Sequence, residues 1–405
     1  MHNRVKKFFN TKNAALVFAT LCFANTAKAD MFTLHLQQGN IEETRGFESV
    51  IDLFDRYEDG TLDSIISGYD DTKASFGQID FRGIPMTLRF DDNAVLTFNV
   101  PDADIHNMTF DGGSQEESFQ LLKDWLKNNK DGLMKKILKA GVEKTPYDMV
   151  AGNPNSLMAT MTDNSFQRAG GGVLGNFVSY ISPNASQHSF DFDGDTKKAK
   201  VYSLPLAKTF NFGNSGYALL FDMPLTYADM DGSVSYAAQL GLGLKIPVIN
   251  NDKMSWNLIP AGRVGAIGSE DMLSGGILYS GTLTSDLQIP VGNFTYGLTN
   301  MVGYIRDYSL KVDDYEIEYD LQNTIFKNGV SVRWDFADKW ALNGSYAYTF
   351  YSGSELFIDD YHDTGVALVR KFDKGSFFSG MALVGNYAFG SNDYQAYRLG
   401  INLLF

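Results

Sequence analysis

The most regular pattern in the chain is a two-residue alternation that starts near residue 177 and runs to the last residue. Between Val234 and Val248, Tyr236, Ala238, Leu240, Leu242, Leu244, Ile246 and Val248 share one face. Ser235, Ala237, Gln239, Gly241, Gly243 and Lys245 share the other. A helix would scatter both sets, whereas a strand sorts them. The same sorting sets Ile277, Tyr279, Leu283, Leu287 and Ile289 against Ser280, Thr282, Thr284, Asp286 and Gln288. It also sets Val330, Val332, Trp334 and Phe336 against Lys327, Ser331, Arg333 and Asp335, and Trp340, Leu342, Tyr346, Tyr348 and Phe350 against Asn343, Ser345, Ala347 and Thr349.

These strands are long, about 11–16 residues, where soluble sheets typically use about 5–6. A tilted strand needs roughly 9–11 residues to cross hydrocarbon, plus rim residues. Aromatic residues gather towards strand ends, as in Tyr217 and Tyr227 or Trp340 and Phe350, where interfacial girdles place them. The pattern predicts strands near 201–212, 216–228, 233–248, 254–267, 275–289, 293–308, 320–336, 340–352, 361–372, 376–390 and 393–405, and a weaker one near 177–192 that ends in an Asp193-Gly194 turn. Bacterial single-chain barrels have even strand numbers, so the reading is a transmembrane antiparallel β-barrel of twelve strands, with ten as the alternative. Short connections (Gly213–Gly216, Ile249–Lys253, Val291-Gly292, Ala337–Lys339, Asp373–Gly375) alternate with longer ones (Ser269–Ser274, Lys311–Asp320, Ser352–Asp360). Periplasmic turns are the short set in outer-membrane barrels, which puts both ends of the barrel segment in the periplasm.

Before residue 169 the pattern is mixed. Ile41 to Glu58 reads as a helix with Phe47, Val50, Ile51 and Phe54 on one face. Four alternating runs, Ser75–Phe81, Ile84–Phe90, Ala94–Val100 and Ile105–Phe110, then predict an antiparallel meander. Ser114 with Glu117 forms a capping box ahead of Phe119, Leu121, Leu122, Trp125 and Leu126. A second helix is predicted over Gly132–Val142, and a third from Asn153, with Pro154 at its first position, through Met158, Met161 and Phe166. Residues 30–168 therefore read as a small α+β domain, 169–176 (opening on Ala169-Gly-Gly-Gly172) as a linker, and 177–405 as the barrel.

Residues 1–29 carry the features of a secretory signal. Arg4, Lys6, Lys7 and Lys12 precede the apolar stretch Ala14–Ala24, and Ala27 and Ala29 occupy the positions a signal peptidase reads, with cleavage expected before Asp30. Cys22, the one cysteine, follows Thr20 and Leu21 rather than the small residues that lipidation needs. Once the signal is removed the chain has no thiol chemistry or disulfide framework. Its 29 remaining Lys and Arg face 48 Asp and Glu, a net charge of −19, which excludes a polyanion such as nucleic acid as partner. No stretch after the signal is long and apolar enough for a membrane helix. Aromatics at 14% suit a barrel.

The last nine residues, Tyr397-Arg-Leu-Gly-Ile-Asn-Leu-Leu-Phe405, resemble the terminal signal of outer-membrane proteins, with Tyr397, Leu399, Ile401, Leu403 and Phe405 on one face and an aromatic at the end. That resemblance implies recognition by the barrel-assembly machinery and residence in outer-membrane lipid. The order of signal, N-terminal domain, linker and C-terminal twelve-strand barrel resembles an autotransporter, in which the passenger crosses the barrel and a helix stays in the lumen. The match is of layout: the barrel is short for that family and the first region has no repetitive β-helix.

Candidate chemistry is sparse. Asp222, Lys245, Arg263, Asp286, Lys327, Arg333, Asp335, Lys371 and Arg398 fall on the polar side of their strands and are expected to face the lumen, where paired charges would fill a closed interior. Asp191, Asp193 and Asp195 in an Asp-Phe-Asp-Gly-Asp turn offer oxygens at alternate positions that suit Ca²⁺, though Asp-Gly is also ordinary turn chemistry. Asp229 and Asp231 make a second such turn. No other cofactor is implied. His188-Ser189 and His362-Asp363 are neighbours on strands, so each pair points to opposite faces and forms no dyad. No catalytic residue is assigned. The leading expectation is a barrel that anchors the N-terminal domain and presents it outside or tethers it in the periplasm. The alternatives are a narrow channel gated by the N-terminal region and an outer-membrane hydrolase. A protein or small-solute ligand stays open.

Overall fold

The computed structural model describes residues 32–47, 66–127, 132–174, 177–269, 274–312, 315–373 and 375–405. The expected signal and its cleavage position lie outside them.

The C-terminal part is a closed antiparallel barrel of twelve strands. Its first wall strand is interrupted: β7 (Tyr180–Ile181) and β8 (Asn184–Phe192) flank Ser182-Pro183. The wall continues through β9 (Asp195–Asn211), β10 (Ala218–Met230), β11 (Ser233–Asn251), β12 (Met254–Ser269), β13 (Ser274–Val291) and β14 (Phe294–Tyr308). A loop carrying the short hairpin β15 (Leu310–Val312) and β16 (Tyr315–Ile317) leads to β17 (Gln322–Ala337), β18 (Trp340–Gly353), β19 (Asp360–Lys371), β20 (Gly380–Gly390) and β21 (Gln395–Leu404). Closure is made where β21 pairs with β8, Gln395 opposite Ser189 through Gly400 opposite Asn184, and with β7. The interruption follows from Pro183, which has no amide proton to give the ladder and is tolerated at such breaks.

The outward face is apolar. Leu240, Leu242, Leu283, Leu298, Val302, Val330, Val366, Leu383 and Leu399 are all exposed on it. Aromatic residues bound this belt. Phe294 and Trp334 stack at 6.0 Å near the short-turn end, and Tyr227 and Tyr236 meet at 5.5 Å near the long-loop end. So wide an apolar exterior cannot face water, and a lipid bilayer is the medium that accommodates it. The protein is a membrane-spanning barrel of the outer-membrane type. Among the described residues no helix is long and apolar enough to cross a membrane.

The N-terminal part is a six-stranded antiparallel sheet of β1 (Phe32–Gln38), β2 (Ile41–Phe47), β3 (Ser75–Phe81), β4 (Ile84–Phe90), β5 (Leu96–Val100) and β6 (Ile105–Phe110). Their order across the sheet is β2-β1-β3-β4-β5-β6. The four-run meander is therefore β3 to β6. The helix expected over Ile41–Glu58 is corrected at its start: residues 41–47 are an edge strand registered on β1, and residues 48–58 lie outside the described ones. A strand partner outweighed the apolar spacing there, because Gly39-Asn40 supplies a two-residue hairpin turn with Gly39 at φ 61°. Helix α1 (Gln115–Lys127) packs on β5 and β6. Its Ser114 Oγ accepts the Glu117 amide at 3.1 Å, one half of the expected box. Helix α2 (Leu133–Lys144) packs on β4.

The third helix, α3, spans Leu157–Arg168. It starts later than Asn153, because the Asn153 side chain is spent on the preceding turn, donating to Pro146 O and Asp148 O. Ser156 caps the helix instead, accepting from the Ala159 amide. This helix, which the sequence grouped with the N-terminal domain, runs inside the barrel.

Candidate functional site: a plugged barrel lumen

Two ends of the barrel are distinguishable. One carries the chain terminus at Phe405 and the short turns; the other carries the longer connections. The N-terminal domain sits on the second. Phe357 in the loop before β19 donates its amide to Val142 O at 2.9 Å, and Ile358 donates to Gly152 O at 2.8 Å. Lys135 of α2 lies 3.3 Å from Glu318 and 3.2 Å from Asp320 in the loop before β17. Phe192, at the tip of the β8–β9 hairpin, meets Tyr147 edge-on at 5.7 Å and Phe357 at 6.0 Å. Gly83 allows this approach, since a Cβ there would fall 2.7 Å from the Phe192 ring.

At this junction Arg82 faces the fully buried Asp148 at 3.6 Å. Asp148 also accepts the amides of Val150 and Ala151 at 2.8 and 3.1 Å. Burial nevertheless raises its carboxyl above the ordinary carboxylate range, because removal from water penalises the charge more than Arg82 and the two amides favour it.

From the junction α3 descends through the lumen, its N-terminus at the domain end. Asp163 receives Lys327 Nζ at 2.7 Å and the Tyr361 hydroxyl at 2.9 Å. Lys327 also donates to Asp363 at 3.1 Å. Ser165 accepts from Arg263 Nε at 3.0 Å, while Arg263 holds Asp222 at 2.7 Å. Thr160 and Asn164 both meet Gln239, at 2.9 and 3.0 Å. Arg168, the last helical residue, donates to Lys208 O at 2.7 Å and Thr209 Oγ1 at 2.6 Å near the short-turn end. Polar pairs therefore fix the helix at several heights, and each side-chain partner on the wall is an inward-facing residue of its strand, the one backbone partner being Lys208 O.

Small wall residues give the helix its room. A Cβ on Gly329 would lie 2.8 Å from the Phe166 ring, and one on Gly265 would lie 2.8 Å from Met161 Sδ. After α3 the chain turns through Gly170 (φ 100°), beside the Asp286 carboxylate. Val173 O then accepts from Asn343 Nδ2 at 2.8 Å, and Phe177 O accepts from Thr209 at 2.8 Å before β7 begins. This helix and linker occupy the lumen; a cavity of about 110 Å³ remains beside α3 and one of about 430 Å³ at the short-turn end.

The charged residues named from sequence take distinct places. Asp222, Arg263 and Lys327 are in the pairs above. Asp286 is buried with Gln288 and Thr299 as donors at 2.8 and 3.1 Å. Arg333 and Lys371 converge on Asp335 near the short-turn rim, at 2.9 and 3.3 Å. Lys245 lies 4.8 Å over the Phe177 ring, and Arg398 lines the cavity beside α3. Strand alternation marks a wall residue in the sequence, whereas the partners Asp163, Ser165, Thr160 and Asn164 on α3 carry no such mark. Nothing in the helix distinguishes a lumenal plug from a core helix except its polar girth.

The Asp191, Asp193 and Asp195 turn does not converge. Asp191 accepts from Thr196 at 3.2 Å and Asp195 pairs with Lys197 at 3.3 Å. Among the described residues no group of three potential ligands gathers for a metal. His188 does meet a serine, though not its neighbour: Nε2 lies 2.9 Å from Ser186 Oγ, two residues back on the same face. Its other ring nitrogen meets the Tyr394 hydroxyl at 3.2 Å rather than a carboxylate. On the outward face, His362 bonds Tyr346 at 2.7 Å and stacks on Tyr348 and Phe389. Asp363 points inward to Lys327. The terminal residues Tyr397, Leu399, Ile401, Leu403 and Phe405 lie along or just past the closing strand, and Phe405 stacks under Lys208 at 5.0 Å.

No family model and no curated protein matches the chain. Among solved structures it is similar to the translocator domain of the autotransporter NalP from Neisseria meningitidis, at 11% identity and a TM-score of 0.45, covering 61% of this chain and 96% of that one. It is similar to the β-domain of the Bordetella autotransporter Brka at 12% identity and TM-score 0.40, covering 56% and 99%. The NanC porin gives 8% identity and TM-score 0.35, covering 55% and 98%.

Proposed function

We propose that the barrel anchors the N-terminal α+β domain and presents it on the outer face of the outer membrane, with α3 left in the lumen as tether and plug. The observation that carries this reading is the direction of the chain: the domain rests on the long-loop end, and α3 leads from it to the short-turn end, where the wall begins. In an outer-membrane barrel the short turns are periplasmic, so the domain is external. The reading requires no bond-making step. The channel alternative needs a path through the lumen, and α3 with its linker occupies it, so conduction would first require their displacement.

Impermeant maleimide labelling of intact cells tests this in a Cys22→Ala background. Gln78→Cys, exposed on β3, should label, and Lys253→Cys, in a short turn, should label only after the cells are opened. The opposite pattern would place the domain in the periplasm.

A further inference from the structure

Beneath the plug, at the short-turn end, a cavity of about 430 Å³ lies between the linker at Val173 and the wall. Its charge is unbalanced. Lys245, Arg333 and Lys371 line it. Arg333 and Lys371 share a single carboxylate, Asp335, at 2.9 and 3.3 Å. The Lys245 ammonium rests on the Phe177 ring. Asp286 attracts it electrostatically, but that group is fully buried and takes its hydrogen bonds, both on Oδ1, from Gln288 and Thr299. Two cations on one shared carboxylate, with a third held by a ring, leave room for an anion.

A second feature of the same walls narrows the ligand. Asn257 and Asn343 line the cavity and are 1% and 3% exposed. The Nδ2 group of each is engaged, on Ser255 Oγ at 3.2 Å and on Val173 O at 2.8 Å. The Oδ1 of each is buried without a donor. A buried acceptor left without a donor costs about 1–3 kcal/mol, so these carbonyls call for a group that brings O–H or N–H. A bare carboxylate would meet the cations and leave both amides unsatisfied. A neutral polyol would do the reverse.

We propose that this cavity is a binding site for a small hydroxylated anion of the sugar-acid or sugar-phosphate class, entered from the short-turn end of the barrel. Its anionic group sits among Lys245, Arg333 and Lys371, and its hydroxyls donate to Asn257 and Asn343. The site goes beyond anchoring and does not depend on which side of the membrane the domain occupies, since the barrel wall and linker build it.

Isothermal titration of the full chain in detergent tests the site, with D-gluconate as the probe and sorbitol, acetate and inorganic phosphate as comparisons. Gluconate should bind at least tenfold more tightly than each of the three. Lys371→Gln and Lys245→Gln should each weaken gluconate about tenfold, equivalent to about 1.4 kcal/mol. Both variants should keep the heat-modifiable gel mobility of a folded barrel. Three results would each overturn the proposal: no gluconate isotherm up to millimolar concentration, equal affinity for acetate or phosphate, or full gluconate affinity in folded Lys371→Gln and Lys245→Gln proteins.

Discussion

Lys327 on the barrel wall and Asp163 on the lumenal helix meet at 2.7 Å with their side chains almost entirely removed from solvent. This contact ties a helix that belongs to no sheet to a wall that needs no helix to close. A buried pair contributes little relative to an apolar substitute, but breaking one partner strands the other charge, at about 3–5 kcal/mol. Lys327→Met should therefore destabilise the plug by several kcal/mol. Asp163→Asn should do less, because Lys327 keeps Asp363 at 3.1 Å. A double-mutant cycle read by chemical denaturation of the barrel in detergent would measure the coupling, and additive effects would show that the pair does not hold the helix.

Gly329 makes a complementary prediction about shape. Its missing side chain is the space that Phe166 fills. Gly329→Leu should push α3 from its seat and raise single-channel conductance in planar bilayers, while insertion and heat-modifiable mobility persist. Conductance equal to the parent protein would mean that the helix does not close the pore.

The membrane assignment can be tested by contrast between faces. Leu298 points outward and Thr299 inward on the same strand. Leu298→Arg should cost about 2–4 kcal/mol of folding stability in lipid vesicles, as for an Arg near the midplane of a barrel. Leu298→Ala should cost much less. An Arg tolerated without loss would mean that this face does not meet hydrocarbon.

Asp148 predicts a pH dependence at the junction between domain and barrel. Its carboxyl is raised in the folded state, so the native protein holds a proton that the unfolded chain releases above about pH 3.9. The junction is then firmest below that value and loses stability as pH rises towards the folded-state value. Thermal melts of the N-terminal domain between pH 4 and 7 should show this decline, and Asp148→Asn should flatten it. A parent slope retained in the variant would place the titration elsewhere.

The periodicity of the chain determined the barrel: its twelve strands, the alternation of apolar and polar faces, and the alternation of short and long connections. Those properties are local, because a strand sorts its side chains every second residue whatever it packs against. The meander at β3 to β6 and the cap at Ser114 were legible for the same reason. What only the tertiary structure decided is where partners far apart in sequence meet. Ile41–Phe47 reads as a helix by spacing and becomes a strand because β1 offers it a ladder. His188 finds Ser186 because the two share a face, a spacing the sequence displays but adjacent pairs conceal. Leu157–Arg168 carries the signs of an ordinary amphipathic helix. Its place in the lumen follows from the seats at Gly265 and Gly329 and from Lys327, Arg263 and Gln239, which lie some 70 to 170 residues away and come into reach only when β21 closes on β8.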